Sequence, residues 1–400
     1  MKILHTSDWH LGHRLLEHSQ YEEQVLFLKW LRKYIYNNKI DILLVSGDIF
    51  DTGMPSSLSQ ELYYNFLVQL TQTGCKHIVI TGGNHDSPGT INAPKELLNA
   101  LSIYVVGKTT ENIKEEVFKL TVGNDDIVIA AVPYLRDQDI RRAVAGESFE
   151  QIGDRYKKAL INHYNDVAEY CNELKTEKSI TIAMGHLFVV GGSSSDSEQS
   201  IYVGNLGDIG VDDFDSSFDY IALGHLHRAQ KIKKDIVRYS GSPYVLSFSE
   251  INTNKKVVVV ETNKANIKNI EEVNIPKFRD FFRIKGTVEE CVDKLKNIIV
   301  KESVLTPWVE VVLKNSTTID NSIINKTSEA LSLEVIKITL ADDKKEEDLE
   351  DLVKKSKNIK ELTPIEVFNM KCKEVDFDIK DRQDVLDAFN EALNIAMDEG

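Results

Sequence analysis

Carboxylates, imidazoles and one carboxamide gather at five places in this chain, each directly after a short apolar run. Asp8-Trp9-His10 follows Ile3–Leu4, Gly47-Asp48-Ile49-Phe50-Asp51 follows Ile42–Val45, and Gly83-Asn84-His85-Asp86 follows Ile78–Ile80. Gly185-His186 ends the run Ile180–Met184, and Gly224-His225-Leu226-His227 ends the run Tyr220–Leu223. These are the donors a pair of divalent cations needs. Two such ions about 3.5–4 Å apart can hold a phosphate, generate a nucleophile from water and stabilise the leaving oxygen, provided a carboxylate bridges them. Asp48 is the natural bridge. Asp8, His10, Asp48 and His227 are expected on one ion, and Asp48, Asn84, His186 and His225 on the other. Mixed imidazole and carboxylate donors suit Mn, Fe or Zn, whereas an all-oxygen set suits Mg or Ca. His85 stands beside a ligand without being needed as one. It is the candidate general acid, since imidazole titrates near neutrality and proton donation contributes roughly 10²–10⁴ in rate. Asp51 and Asp86 are expected to orient imidazoles or cap turns.

The elements that must position these groups follow from the runs themselves. Short stretches rich in Ile, Val and Leu and bounded by Gly read as buried strands. Ligands at strand ends are held by a rigid sheet while their tips face a crevice. A single HxH or a lone GD is a weak signal, because a histidine on a strand is usually an ordinary structural residue. Five clusters, each after an expected strand, are a different matter. His5 is expected to pack in the core, His13 to sit on a solvated loop, and His18, His77 and His163 to be structural.

DxH, GDxxD, GNHD, GH and GHxH in this order resemble the calcineurin-like metallophosphoesterases. More narrowly, the opening MKILHTSDWHLG, then GDIFDTGMPS, GGNHDSP and the late LTPIEVFNMKCKE resemble the bacterial exonuclease family SbcD, nearly end to end. The resemblance implies a four-layer αββα sandwich, two manganese ions on the motif residues, and a catalytic role for the histidine of GNH. It also implies a 3′-to-5′ double-strand exonuclease with single-strand endonuclease activity in DNA repair, recombination and replication. Its expected partners are an SMC-like ATPase, SbcC, and DNA ends and hairpins, with the nuclease itself forming a homodimer. Archaeal and eukaryotic relatives carry histidine where this chain has Asp51, so no role transfers to that position. A small-molecule or cyclic-nucleotide phosphodiesterase is the rival enzyme. A scaffold with a decayed site is the non-enzymatic rival, against which the intact ligand set speaks.

Composition fits a large multidomain protein of the cytoplasm, and the resemblance to a DNA nuclease implies association with the nucleoid. Four hundred residues with 42% hydrophobic content can bury sizeable cores. No secretory h-region and no membrane-length apolar run are present. The four cysteines Cys75, Cys171, Cys291 and Cys372 are scattered without a CxxC pair, which points to reduced thiols. A net charge of −15 argues against nucleic acid at first sight, yet residues 341–400 carry 18 acidic against 10 basic side chains, −8 of that total. In the remainder, Arg136, Arg141 and Arg142, and the run Arg228, Lys231, Lys233, Lys234 and Arg238, either contact phosphates flanking a scissile bond or form an ordinary solvated face.

Along the chain, residues 1–275 alternate strands with helical stretches such as Gln20–Tyr36 and Ser57–Thr73, as a sheet covered by helices requires. Strands over Ile127–Val132, Ile236–Tyr239 and Val257–Glu261 extend the sandwich. Gln151–Glu173 reads as a long helix that packs either at home or on a partner. The polar stretch from Gly191 to Ser200 reads as a mobile loop at the mouth of the site. Residues 276–345 read as a smaller α/β cap, with strands Phe281–Lys285, Trp308–Lys314 and Glu334–Leu340 and helices Val288–Ile299 and Ile319–Leu331. In the resembling family such a cap selects the nucleic-acid geometry that reaches the site. Residues 346–400 read as a charged linker and an amphipathic helical pair that folds back on the cap or docks on a partner. The resemblance favours docking on the ATPase.

Overall fold

A computed structural model of the chain describes residues 1–140, 149–198, 209–300, 304–314 and 322–341. Its first half holds β1 (Lys2–Thr6), a small hairpin of β2 (Arg14–Leu15) and β3 (His18–Ser19), α1 (Tyr21–Asn38), β4 (Ile42–Ser46) and α2 (Ser57–Leu70). β5 (His77–Thr81), α3 (Pro88–Asn92), α4 (Lys95–Asn99) and β6 (Ile103–Val106) follow. The second half holds β7 (Val117–Val122), β8 (Asp125–Ala131), α5 (Asp137–Ile140), α6 (Phe149–Leu174), β9 (Ser179–His186), β10 (Tyr220–Gly224), β11 (Gln230–Ile232) and β12 (Lys234–Tyr239). β13 (Lys256–Asn263) and β14 (Asn266–Asn274) then return to the first half.

Two six-stranded sheets result, in the orders β14-β13-β1-β4-β5-β6 and β11-β12-β10-β9-β8-β7. β1, β4, β5 and β6 run parallel, as do β8, β9, β10 and β12. Parallel strands buried on both faces need near-continuous apolar sequence, which is what Ile42–Val45 and Ile180–Met184 supply. The inner faces meet in a core of Ile3, Ile42, Leu44, Val79, Ile127, Ile129, Ile180, Ile182, Val258 and Val260. Outside the first sheet, α1 and α2 bury Phe27, Leu31, Ile35, Phe66 and Leu70. Outside the second, α6 buries Tyr156, Leu160, Tyr164, Val167 and Cys171, so this long helix packs at home. The layers are therefore helix, sheet, sheet, helix: the αββα sandwich.

The sheets approach most closely where the motifs sit. A Cβ on Gly224 would lie 1.8 Å from the Ser46 carbonyl oxygen, so only glycine fits at the end of β10. Ser46 Oγ donates to Ala222 O at 3.0 Å across the same gap. His5 spans it too, accepting from the Tyr220 hydroxyl through Nδ1 at 3.0 Å and donating from Nε2 to Leu223 O at 3.2 Å. That makes His5 a fully buried neutral imidazole, its pKa pushed down to about 3 by burial.

Beyond β14, β15 (Arg279–Gly286), α7 (Val288–Lys296), β16 (Leu305–Leu313), α8 (Ser322–Ala330) and β17 (Glu334–Leu340) form a small parallel sheet, order β15-β16-β17, with its own core around Val309, Val311, Cys291, Leu295 and Ile324. Thr287 and Glu290 close a reciprocal cap on α7, worth about 1 kcal/mol. α7 stops at Lys296, three residues short of the Ile299 expected from apolar periodicity; Ile299 is 74% exposed and contributes nothing to the small core. All the described elements fall in one compact unit. The expected helical pair of residues 346–400 lies outside the described residues, as does Cys372; Cys75, Cys171 and Cys291 are free thiols. Among the described residues no helix is long and apolar enough to cross a membrane.

Candidate metal centre

The ligand-bearing loops leave the carboxyl ends of β1, β4, β5, β9 and β10, the edge at which open α/β sheets build their sites. Their backbones are strained. Asp8, His10, Asp48 and His225 adopt φ of 53°, 42°, 49° and 102°, a left-handed conformation that costs a non-glycine residue about 1–2 kcal/mol. Neighbouring strands enforce it. Asp8 N donates to Gly47 O (3.1 Å), His10 N to Asp48 O (3.0 Å), Leu11 N to Ile49 O (2.9 Å) and Asp51 N to Leu11 O (3.2 Å), so the first two loops are zipped together. Asp86 ties in the third: its carboxylate accepts from Ile49 N, Phe50 N and Gly83 N at 3.1, 3.0 and 2.9 Å. The motif glycines give room, since a Cβ on Gly47 would lie 2.2 Å from His186 Nδ1 and one on Gly83 2.2 Å from Asp48 Oδ1.

The outer nitrogen of each central imidazole is occupied, which leaves the inner one facing the cleft. His186 Nδ1 donates to Ser46 O at 3.0 Å, and its Nε2 lies 3.2 Å from Asp48 Oδ2 and 3.0 Å from Asn84 Oδ1. His10 turns Nδ1 to Asp51 Oδ1 (3.3 Å), and His227 turns Nδ1 to Ser197 Oγ (2.6 Å). Their Nε2 atoms then face each other at 3.2 Å, with Asp48 Oδ2 3.5 Å from that of His10. Two imidazole nitrogens so placed cannot both be bare; a proton or a cation must lie between them. Three overlapping groups emerge: Asp8, His10 and His227; Asp8, Asp48 and His186; and His10, Asp51 and His85. Within each, one ligand atom per residue lies within 4.8 Å of the others. The donor set thus fits a pair of divalent ions.

Electrostatics point the same way. Burial pushes the Asp8 carboxyl up to about 6, against the pull of His186 and His227. Burial also opposes ionisation of Asp48, but the charge and hydrogen bond of His186, with His10, hold it well below the usual carboxylate range. His186 loses to burial and regains more from Asp48, reaching about 9. Burial lowers His10 to about 4 and His225 to about 3. A cleft that draws protons onto His186 and Asp8 is short of positive charge, and cations supply it.

Asn84 and His225 lie beside these groups. His225 N donates to Asp8 Oδ1 at 2.9 Å, and its ring centroid is 5.6 Å from that of His186. His85, partly exposed, donates from Nδ1 to Asp51 O at 2.8 Å, its ring set edge-on to His10 at 4.8 Å; its backbone N–H holds Asp48 Oδ1 at 2.9 Å. Arg136 donates to Asp86 O at 3.1 Å at the edge of the cleft. Arg228 is exposed directly after the last motif. Lys231 pairs with Asp235 (2.9 Å), while Lys234 and Lys233 pair with Asp212 (3.1 and 4.0 Å). Such exposed pairs stabilise little and exchange readily. Arg141 and Arg142 lie outside the described residues.

Two expectations are corrected. His13 is not a loose loop residue, because its Nδ1 lies 2.8 Å from Asp51 Oδ1 and its Nε2 3.2 Å from Leu246 O. The polar stretch from Gly191, as far as Glu198, is drawn onto the site instead of lying free at its mouth: Ser197 meets His227, and Glu198 accepts from His227 N at 2.7 Å. Glu250, which sequence reasoning missed, is buried beneath them. No motif spacing marks it, and a lone acid in a short turn carries no signal of its contacts.

Comparison with known proteins agrees with this geometry. A family model for calcineurin-like phosphoesterases matches residues 1–229, and one described as the type 5 capsule protein repressor C-terminal domain matches residues 277–375. The chain is 31% identical to the D subunit of nuclease SbcCD from Escherichia coli (strain K12) over 398 residues, 98% of each chain. It is 34% identical to the protein of the same name from Bacillus subtilis (strain 168) over 280 residues, 68% of this chain and 69% of that one. With a zipped, cation-seeking site at the expected strand ends and similarity that runs from one end of the chain to the other, the chain belongs to the calcineurin-like phosphoesterases, in the family of SbcCD nuclease D subunits.

Proposed function

We propose that this chain is the nuclease component of an SbcCD-type complex and hydrolyses DNA phosphodiester bonds with two manganese ions. It acts on double-strand ends and hairpins, as a 3′-to-5′ exonuclease and single-strand endonuclease, in repair, recombination and replication. The observation that carries the reading is the position of Asp48 Oδ2, 3.5 Å from His10 Nε2 on one side and 3.2 Å from His186 Nε2 on the other, so that one carboxylate oxygen serves both halves of the cleft. Asp8, His10 and His227 complete one half; Asn84, His186 and His225 complete the other. Mixed nitrogen and hard oxygen donors favour manganese over magnesium or calcium.

Two divalent ions held there supply a water-derived nucleophile at neutral pH and neutralise charge developing on the phosphate. The chain's own groups do the rest. His85, anchored through Nδ1, turns Nε2 to the cleft and donates a proton to the departing alkoxide. Asp51 fixes the His10 tautomer and Asp86 keeps three loops in register. Arg136 and Arg228 flank the cleft, where Lys231, Lys233 and Lys234 can exchange their carboxylate partners for phosphates. Residues 276–345 act as a cap selecting DNA geometry, and residues 346–400 dock on an SbcC-like ATPase. The working form is a homodimer in the cytoplasm, at the nucleoid.

The test is cleavage of an end-labelled duplex and a hairpin in Mn²⁺, with EDTA and His85→Ala as controls and a chromogenic phosphodiester alongside. DNA cleavage lost in both controls is the expected result. Turnover of the small ester with DNA untouched, even after addition of the ATPase and ATP, would replace the reading by that of a small-molecule phosphodiesterase.

A further inference from the structure

Glu250 ends a short turn, Phe248–Glu250, that sits under the last histidine motif and carries no catalytic assignment. Only 2% exposed, its carboxylate is fully bonded: Oε2 accepts from Lys255 Nζ at 2.6 Å and from Leu246 N at 3.1 Å, while Oε1 faces the Ser197 hydroxyl. Lys255 holds Glu250 ionised, and an ionised carboxylate can only accept. Ser195 Oγ lies 3.0 Å from the same Oε1 and 2.8 Å from Ser197 Oγ, so two hydroxyls gather on this carboxylate oxygen. His227 Nδ1 lies 2.6 Å from Ser197 Oγ and 3.6 Å from Glu250 Oε1, so an acceptor carboxylate at this end of the ring favours the tautomer in which Nδ1 donates to Ser197 and Ser197 to Glu250. The relay His227 to Ser197 to Glu250 leaves Nε2 as the metal-facing nitrogen and fixes the ring plane. Two residues earlier, Phe248 packs edge-on against Phe281 of β15 at 6.1 Å, and Phe281 against Trp308 of β16 at 5.8 Å. The turn that carries Glu250 is thus seated on the small sheet.

We propose that Glu250, acting through Ser197, is a positioning residue that sets the tautomer of His227, and that its seat on Phe281 makes occupancy of the His10/His227 half of the cleft depend on the small sheet. This rests on the two-ion reading above, and it predicts that the halves can be separated. Loss of an outer partner to a ligating histidine typically weakens metal binding about 10–100-fold.

The experiment is titration of the full chain with Mn²⁺ alone, followed by electron paramagnetic resonance, which distinguishes a spin-coupled pair from a single ion. Wild type shows the coupled pair. Ser197→Ala and Glu250→Ala show a single-ion signal over a Mn²⁺ range that saturates both sites in wild type, with the second ion bound about 10–100-fold more weakly; Glu250→Asp recovers part of the pair. Phe281→Ala, which touches no ligand, moves the second site in the same direction. Because Glu250→Ala strands Lys255 and can fail to fold, Ser197→Ala is the deciding variant: a coupled pair with unchanged affinity in a folded Ser197→Ala protein overturns the inference. Wild type that binds no coupled pair overturns the two-ion reading itself, a different result from the loss of one ion in the variant.

Discussion

His85 and Asp48 are neighbours with separable duties. Substituting His85 by Ala removes a proton donor but no ligand, so cleavage should fall by about 10²–10⁴ while both ions remain. Substituting Asp48 by Ala removes the oxygen shared by both halves and should empty the cleft. Metal content by mass spectrometry alongside cleavage rates checks this, and equal metal loss in the two variants would refute the division. His5 has a pH signature of its own. Its folded pKa, depressed to about 3 from 6.5, means that the unfolded chain binds a proton the native chain excludes. The stability it supports is complete above pH 6.5 and is lost as pH falls toward 3. The stability gap between wild type and His5→Asn should therefore shrink by about 2 kcal/mol between pH 7 and pH 5. Urea melts at both pH values measure it; a gap independent of pH would sink the idea. The donors that the structure gathers in one cleft were legible in the sequence, because two-ion chemistry admits few residue types. Asp51 and Asp86, which stand inside the motifs, were legible as partners too, but His13, Ser197 and Glu250 were not: they act through contacts between residues far apart in the chain, and their neighbours in sequence do not announce them.

Among the elements, the ones read best were those whose period comes from burial on one fixed face. α6 alternates its buried Tyr156, Leu160, Tyr164 and Val167 at helical spacing, and its extent differed from expectation by one or two residues at either end. β14 was missed because its Ile267, Ile270 and Val273 recur every third residue among polar and charged ones, so this edge strand has no apolar run and no two-residue alternation to reveal it. α1 ends at Asn38 and is capped by Lys39, left-handed at φ 53° without the glycine that usually marks such a stop. Where the sheets touch, one methyl group should be decisive. Gly224→Ala would drive a Cβ into the Ser46 carbonyl, the acceptor that orients His186. Destabilisation of about 3 kcal/mol and loss of metal together are expected, read by thermal melting and metal content. A variant with native metal content would show that the gap can open.

At the scale of the molecule, one buried cation helps to tie the small sheet to the sandwich. Arg279 is buried, pairs with Glu23 and Glu22 of α1, and stacks 4.1 Å over the ring of Trp308. Arg279→Leu would leave Glu23 buried without its partner, at a cost of about 3–5 kcal/mol. A fall in the urea midpoint of the metal-free chain is expected; an unchanged midpoint would mean that the apolar cluster of Leu15, Val245, Phe248, Phe281 and Trp308 holds the joint without it. The order in which the chain builds its layers has another consequence. β1, which leads into Asp8 and His10, pairs with β4 on one side and with β13 on the other, so its seat in the sheet is complete only once β13 has been made. The donors gathered in the cleft span Asp8 to His227. A chain that stops short of β13 leaves β1 without one of its two neighbours, so the cleft is supported on every side only in molecules whose sandwich is complete.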